Sequence, residues 1–97
     1  MNNPIAKVAI KRAILSTINS LYALAIESAD VISIRIEYSS KMKLMNIVIF
    51  SDSTTHHAHN LVLLDNEKAL DDLLAVEDLI IERVAQLRDE QEAEEAA

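Results

Sequence analysis

The chain has 97 residues, a formal net charge of −7 and a hydrophobic fraction of 51%. This length and composition predict one folded domain with a single core, because disordered chains are poorer in aliphatic residues and two domains need a longer chain. Cysteine and glycine are both absent, which excludes disulfides, thiolate metal sites and glycine-rich phosphate loops. The low aromatic fraction of 3% and the negative charge also argue against direct binding to nucleic acid.

The amino-terminal residues 1–11 do not resemble a signal peptide, because they contain no uninterrupted apolar stretch followed by small residues. The longest uncharged run, residues 13–26, is shorter than the roughly 18 residues that a membrane span needs. We therefore expect a cytoplasmic protein that has no membrane partner.

The first predicted element is a helix over residues 4–28. Asn3 and Pro4 form a start signal, because asparagine caps free amide groups and proline fits the first helical position. Apolar residues then recur at three- and four-residue steps, which predicts a single apolar face along the helix. The positions of this face are Val8, Ile10, Ile14, Leu15, Ile18, Leu21, Tyr22 and Ala25.

Two antiparallel strands are predicted next, over residues 31–38 and 44–51. The first alternates apolar with polar side chains, as a half-buried strand does, whereas the second is apolar on both sides. Without glycine we expect a longer connection than a tight two-residue turn. If the helices cover one face of the sheet, the other face should be polar. Val48 and Phe50 therefore need a cover, either a second copy, a binding partner or side chains of an adjacent strand.

The last third of the chain predicts a long helix. Residues 52–60 read as a polar, turn-rich segment, and residues 61–64 are a candidate third strand. Asp65 is the predicted helix cap. The apolar positions that follow spread over about 160°, wider than the usual stripe of about 100°. These positions are Leu70, Leu73, Leu74, Val76, Ile80, Ile81, Val84 and Leu87.

These elements predict an α+β fold, in which an amino-terminal helix, an antiparallel β-hairpin with a candidate third strand, and a long carboxy-terminal helix follow one another. Both helices are expected on one face of the sheet. Residues 1–89 should form the single domain. Residues 90–97 should form an acidic, frayed tail, because negative charge at a helix carboxy terminus opposes the helix dipole.

Charge is distributed unevenly along the chain. Residues 65–97 contain twelve acidic and three basic residues, a net charge of −9, whereas residues 1–64 carry +2. Lys7, Lys11 and Arg12 form a small basic patch on the first helix, where cations near the amino terminus are mildly unfavourable. We expect these three side chains to face water or to pair with acids of the last helix.

Four acids of the last helix form one row. Asp71, Asp78, Glu82 and Asp89 are separated by seven, four and seven residues, so they fall on one side of a helix, opposite its apolar face. The row spans roughly 27 Å at about 1.5 Å per residue. Its spacings are comparable to those of backbone phosphates, so the row predicts a surface that fits a cationic nucleic-acid site. The simpler interpretation is a solvated face that keeps the protein soluble.

His56, His57 and His59 are close enough in sequence to suggest a zinc or nickel site. No helical His-x-x-x-His pair and no adjacent glutamate motif supports a catalytic metal, so we expect a polar loop that binds no metal. Ser53, Thr54 and Thr55 lie beside these histidines, but no acid is spaced to orient a nucleophile and its base.

The sequence therefore predicts a non-enzymatic protein-binding module that inhibits a partner protein by mimicking DNA or RNA at a cationic site. The expected binding residues are those of the acidic row (Asp71, Asp78, Glu82 and Asp89) together with Val48 and Phe50. The alternative is a homodimeric structural or assembly protein without nucleic-acid mimicry. In either case we expect no catalytic residue, no cofactor and no small-molecule substrate.

Overall fold

The structure, a computed structural model, describes residues 4–50 and 57–96, and only the backbone of His57. Asn3, the predicted cap of the first helix, lies outside the described residues. The order of elements confirms the predicted α+β class, including the candidate third strand. The elements are α1 (Pro4–Glu27), β1 (Ser33–Ser39), β2 (Leu44–Phe50), β3 (His57–Leu63) and α2 (Ala69–Ala96).

The three strands form one antiparallel sheet in the order β1-β2-β3, with β2 in the centre. Ile36 pairs with Ile47, and Met45 pairs with Val62, so the aliphatic residues of neighbouring strands share one face. Met45, Ile47 and Ile49 of β2 are all buried there. This face of the sheet forms one side of the hydrophobic core.

Both helices pack on this one face, as predicted. Leu21 of α1 and Leu73 and Ile80 of α2 belong to the same buried cluster as Ile47 and Val62. Thr17 of α1 is also buried, and its hydroxyl donates a hydrogen bond of 2.8 Å to the carbonyl oxygen of Ala13. The buried hydroxyl therefore finds its acceptor within the helix and adds no unsatisfied polar group to the core.

The two helices run in the same direction. Arg88 of α2 contacts Asp30, just after α1, whereas Leu64, just before α2, lies beside Ile14 and Ile18 of α1. The first residue of α1 that packs against the core is Ile14, and all of residues 4–12 are exposed. The amino-terminal part of α1 thus projects beyond the sheet, in a molecule whose extents are 59 × 24 × 18 Å.

The apolar residues of α1 divide between two sides of the helix, so the prediction of a single apolar face was wrong. Ile14, Ile18 and Leu21 pack against the core, whereas Val8 and Leu15 are exposed. The steps of three and four residues fitted both groups, because two stripes offset around a helix interleave in the sequence.

The connection between β1 and β2 is a longer loop, as the lack of glycine predicted. Ser39 pairs with Leu44, and four residues join them. Lys43 has a φ of 51°, in the left-handed region that a glycine would occupy at lower cost. Its carbonyl oxygen accepts a hydrogen bond of 2.8 Å from the backbone N–H of Leu64, which fixes the loop beside the end of β3.

The start of α2 differs from the prediction. Asn66, not Asp65, closes the turn before the helix, because its Oδ1 accepts a hydrogen bond of 2.8 Å from the backbone N–H of Lys68. Asp65 instead lies 3.6 Å from the Nζ of Lys43 in an exposed ion pair. The helix continues through Ala96, and fraying of its acidic end stays a prediction.

The start of β3 was also placed too late in the sequence. Residues 57–60 were predicted as part of a polar loop, but they pair with residues 47–50 of β2. Their composition of histidine, alanine and asparagine carries little strand propensity. Hydrogen bonding to the apolar central strand determines their conformation instead, which is a tertiary effect that local sequence does not encode.

Two adjacent leucines of α2 test how much the buried face contributes to stability. Leu73 is fully buried, whereas Leu74 is 40% exposed. We expect Leu73→Ala to lower the free energy of unfolding by about 2–5 kcal/mol, because it leaves a cavity under α2. The matched change Leu74→Ala should cost about 1 kcal/mol or less, since less apolar surface returns to water. Urea denaturation followed by circular dichroism measures both, and equal losses would contradict this packing.

Candidate protein-binding surfaces

The acidic row lies on the side of α2 that faces solvent. Asp71, Asp78, Glu82 and Asp89 are all exposed, and Leu73, Val76 and Ile80 on the other side are buried. Because α2 is one continuous helix from Ala69 to Ala96, the predicted span of roughly 27 Å applies to the row. The helix thus presents four carboxylates in a line on a rigid support.

No carboxylate of the row forms an ion pair within the described part of the chain. The two ion pairs found there are Lys43 with Asp65 and Arg88 with Asp30, and neither includes a member of the row. Arg83 donates a hydrogen bond of 2.9 Å to Gln86. Both arginines of α2 are therefore engaged elsewhere, and the carboxylates of the row face solvent.

Arg88 connects α2 to the end of α1. Its guanidinium donates hydrogen bonds of 2.9 and 3.2 Å to the two carboxylate oxygens of Asp30, a bidentate pair at the surface. A third, longer contact of 3.5 Å reaches the carbonyl oxygen of Glu27, near the negative end of the helix dipole. The hydrogen bond from Arg88 lowers the pKa of Asp30 below its usual value.

Val48 and Phe50 lie on the sheet face opposite the helices. Val48 is only 4% exposed, and Arg35 of β1 and His59 of β3 flank it in register. The Arg35 guanidinium also lies 5.7 Å from the centre of the Phe50 ring, within cation–π distance. Val48 is therefore covered within the chain itself, and binding of a partner by these two residues stays a prediction.

Two leucines on this sheet face were not selected from the sequence. Leu61 is 64% exposed and Leu63 is also exposed, and by register they flank Asn46 and Leu44 of β2. The side-chain Oδ1 of Asn46 is buried and accepts no hydrogen bond within the described part of the chain, an arrangement that costs about 1–3 kcal/mol. Residues 61–64 are all apolar, so the sequence alone does not show which of them face solvent. Their exposure could be predicted only once the third strand and its register were known.

The basic patch on α1 does not pair with acids of α2. Lys7, Lys11 and Arg12 are exposed, and none of them forms an ion pair within the described residues. The parallel arrangement of the helices explains this result, because the patch projects at one end of the molecule while the acidic end of α2 extends past the other. Of the two expectations for the patch, the structure supports exposure to water.

The histidine cluster is only partly described. His59 is an exposed residue of β3, whereas His56, Ser53, Thr54 and Thr55 lie outside the described residues, as does the side chain of His57. Among the described residues, no three side chains of the metal-binding types are close enough to hold an ion. A metal site that includes all three histidines is therefore untested.

Comparisons with protein families, with characterised proteins and with solved structures gave no match to this chain. Within the described residues, neither helix has an apolar stretch long enough to cross a membrane. The function must therefore be inferred from the surfaces themselves.

The Arg88–Asp30 contact predicts a specific dependence of stability on pH. A carboxyl group whose pKa is lowered by folding stabilises the fold above its unfolded pKa of about 3.9, and this contribution disappears as the pH falls through the lowered value. We expect Arg88→Ala to be less stable than the wild type at pH 7 and the difference to shrink below about pH 4. Urea denaturation from pH 2 to 7 measures it.

Arg83→Ala is the matched control, because the hydrogen bond of Arg83 within the described residues goes to the neutral Gln86. Its stability relative to the wild type should not change with pH through the acid range. A difference for Arg88→Ala that stays constant down to pH 2 would show that Asp30 gains nothing from the contact.

Proposed function

We propose that this protein is a non-enzymatic protein-binding module whose acidic row occupies a cationic, nucleic-acid-binding site on a partner protein and thereby inhibits it. The observation that carries the proposal is the line of four exposed acidic residues on α2, none of which forms an ion pair within the described chain. Phosphates of a nucleic acid likewise present a line of negative charges to a protein.

The anchoring of α2 in the core favours binding by the acidic row. The opposite side of α2 is anchored in the core through Leu73, Val76 and Ile80, so the backbone that carries the carboxylates is fixed before a partner arrives. Binding then orders only the four side chains, which keeps the entropic cost of association low. Charges arranged in this way also accelerate encounter with a cationic surface, and salt weakens the effect.

The test neutralises the row as Asp71→Asn, Asp78→Asn, Glu82→Gln and Asp89→Asn. Four exposed ion pairs worth about 0.5 kcal/mol each amount to about 2 kcal/mol, which corresponds to roughly 30-fold weaker binding. The probe is the set of basic host proteins that the immobilised wild-type protein captures, with dissociation constants measured for each over a salt series. Release of the captured protein by duplex DNA tests the mimicry directly.

A matched control neutralises four acids outside the row, Glu90, Glu92, Glu94 and Glu95, each to glutamine. This variant has the same change in net charge but keeps the row intact, so it should bind within about threefold of the wild type. Equal losses in both variants would mean that binding follows overall charge and not the row. Binding that is insensitive to salt would also contradict the proposal.

We propose a homodimeric structural or assembly protein as the second candidate function. The observation that favours it is the amount of apolar surface that the described chain leaves exposed, which includes Leu61 and Leu63 on the sheet and six large apolar side chains on α1. Large exposed apolar side chains that lie close together commonly mark protein interfaces. The two functions are compatible, because the acidic row lies on a different surface.

A further inference from the structure

The exposed stripe of α1 has the spacing of a coiled-coil seam. Its residues alternate steps of four and three, so they keep to one side of the helix over five turns. All six are exposed, and the apolar members range from 43% exposure for Tyr22 to 75% for Ile26. The seam consists of Val8, Arg12, Leu15, Asn19, Tyr22 and Ile26.

We propose that this seam is a homodimer interface, in which α1 packs antiparallel against α1 of a second copy of the chain. The inference deepens the second proposed function and does not depend on the acidic row. It assigns the contact to α1 and not to the sheet face that carries Leu61 and Leu63.

The distribution of charge along α1 favours a second copy of the chain as the partner and an antiparallel orientation of the two helices. Lys7, Lys11 and Arg12 lie in the amino-terminal half, whereas Glu27 and the negative end of the helix dipole lie at the other end. An antiparallel second copy places each basic half beside the electronegative end of the other helix. A parallel copy would bring six cations together and align the two dipoles unfavourably.

The same arrangement matches the seam residues to one another. In an antiparallel coiled coil each a position of the heptad faces a d position of the other helix. One register here gives every seam residue a seam residue of the second copy as its partner. Val8 meets Ile26 of the second copy, Arg12 meets its Tyr22, and Leu15 meets its Asn19. The first layer is apolar, and the second joins a guanidinium to an aromatic ring. The third layer places the polar Asn19 against an apolar leucine, which costs some stability.

The surface beside the seam has room for side chains of the second helix. A groove of about 320 Å³ lies between α1 and one end of the sheet and is lined in part by Leu15, Tyr22 and Tyr38. The interface is isologous, since both copies use the same residues about a two-fold axis. It therefore closes as a dimer and does not extend into a filament.

The first experiment measures mass by sedimentation equilibrium for the wild type, Leu15→Glu and Leu63→Glu. Both leucines are exposed, so neither change should disturb the monomer fold, which circular dichroism verifies. We expect twice the chain mass of 10.8 kDa for the wild type and Leu63→Glu, and 10.8 kDa for Leu15→Glu.

A monomeric wild type would overturn both the homodimer and this interface. A dimeric wild type that Leu15→Glu leaves intact would overturn only the interface, and the homodimer would stand. Loss of the dimer in Leu63→Glu but not in Leu15→Glu would move the contact to the sheet face.

The second experiment tests direction with single cysteines, which are unique because the native chain has none. We expect a disulfide when Val8→Cys and Ile26→Cys proteins are mixed under mild oxidation, and none in either protein alone. Positions 8 and 26 are about 27 Å apart along one helix, far beyond the limit of about 7 Å between bridged Cα atoms, so the bond cannot form within a chain. A disulfide in Val8→Cys alone would indicate a parallel pair and overturn the proposal, as would no bond in the mixture.

Discussion

The packing of both helices on the central strand β2 is the interaction on which the rest of the structure depends. Met45, Ile47 and Ile49 are buried on the helix side of the sheet, where they contact one core formed by both helices. No disulfide holds this small protein together, so aliphatic burial is the main source of its stability. Both edge strands pair with β2, and both helices pack into the core that its buried side chains help to form.

Packing against this core also explains the positions of the acidic row on α2 and of the exposed seam on α1. Once the core side of α2 is fixed by Leu73, Val76 and Ile80, the row from Asp71 to Asp89 must face solvent, since the two sets lie on opposite sides of the helix. On α1, contact begins only at Ile14, so everything before it projects beyond the sheet. One set of packing contacts thus determines the acidic row and the exposed seam.

Much of this arrangement was predictable from the sequence, because each successful prediction rested on a local pattern. The alternation in β1 and the period of α2 identify a strand and a helix without knowledge of the fold, and the acidic row follows from the helical period. The predictions that were wrong concerned features that depend on tertiary contacts. Residues 57–60 form a strand because β2 pairs with them, and Leu15 is exposed because no described element covers that side of α1. The choice between Asp65 and Asn66 depended on one hydrogen bond, since both residues are good caps.

The parallel direction of the helices separates charge along the molecule. The projecting start of α1 carries Lys7, Lys11 and Arg12, and the end of α2 carries five acids between residues 89 and 95. These groups lie toward opposite ends of a body whose longest extent is 59 Å, so the monomer has a large electric dipole moment along that axis. The electric field of a charged macromolecule therefore orients such a monomer during its approach, so that its orientation at first contact is not random. An antiparallel pair cancels the moment, so forming the dimer would remove this orientational preference while leaving the net charge per chain unchanged.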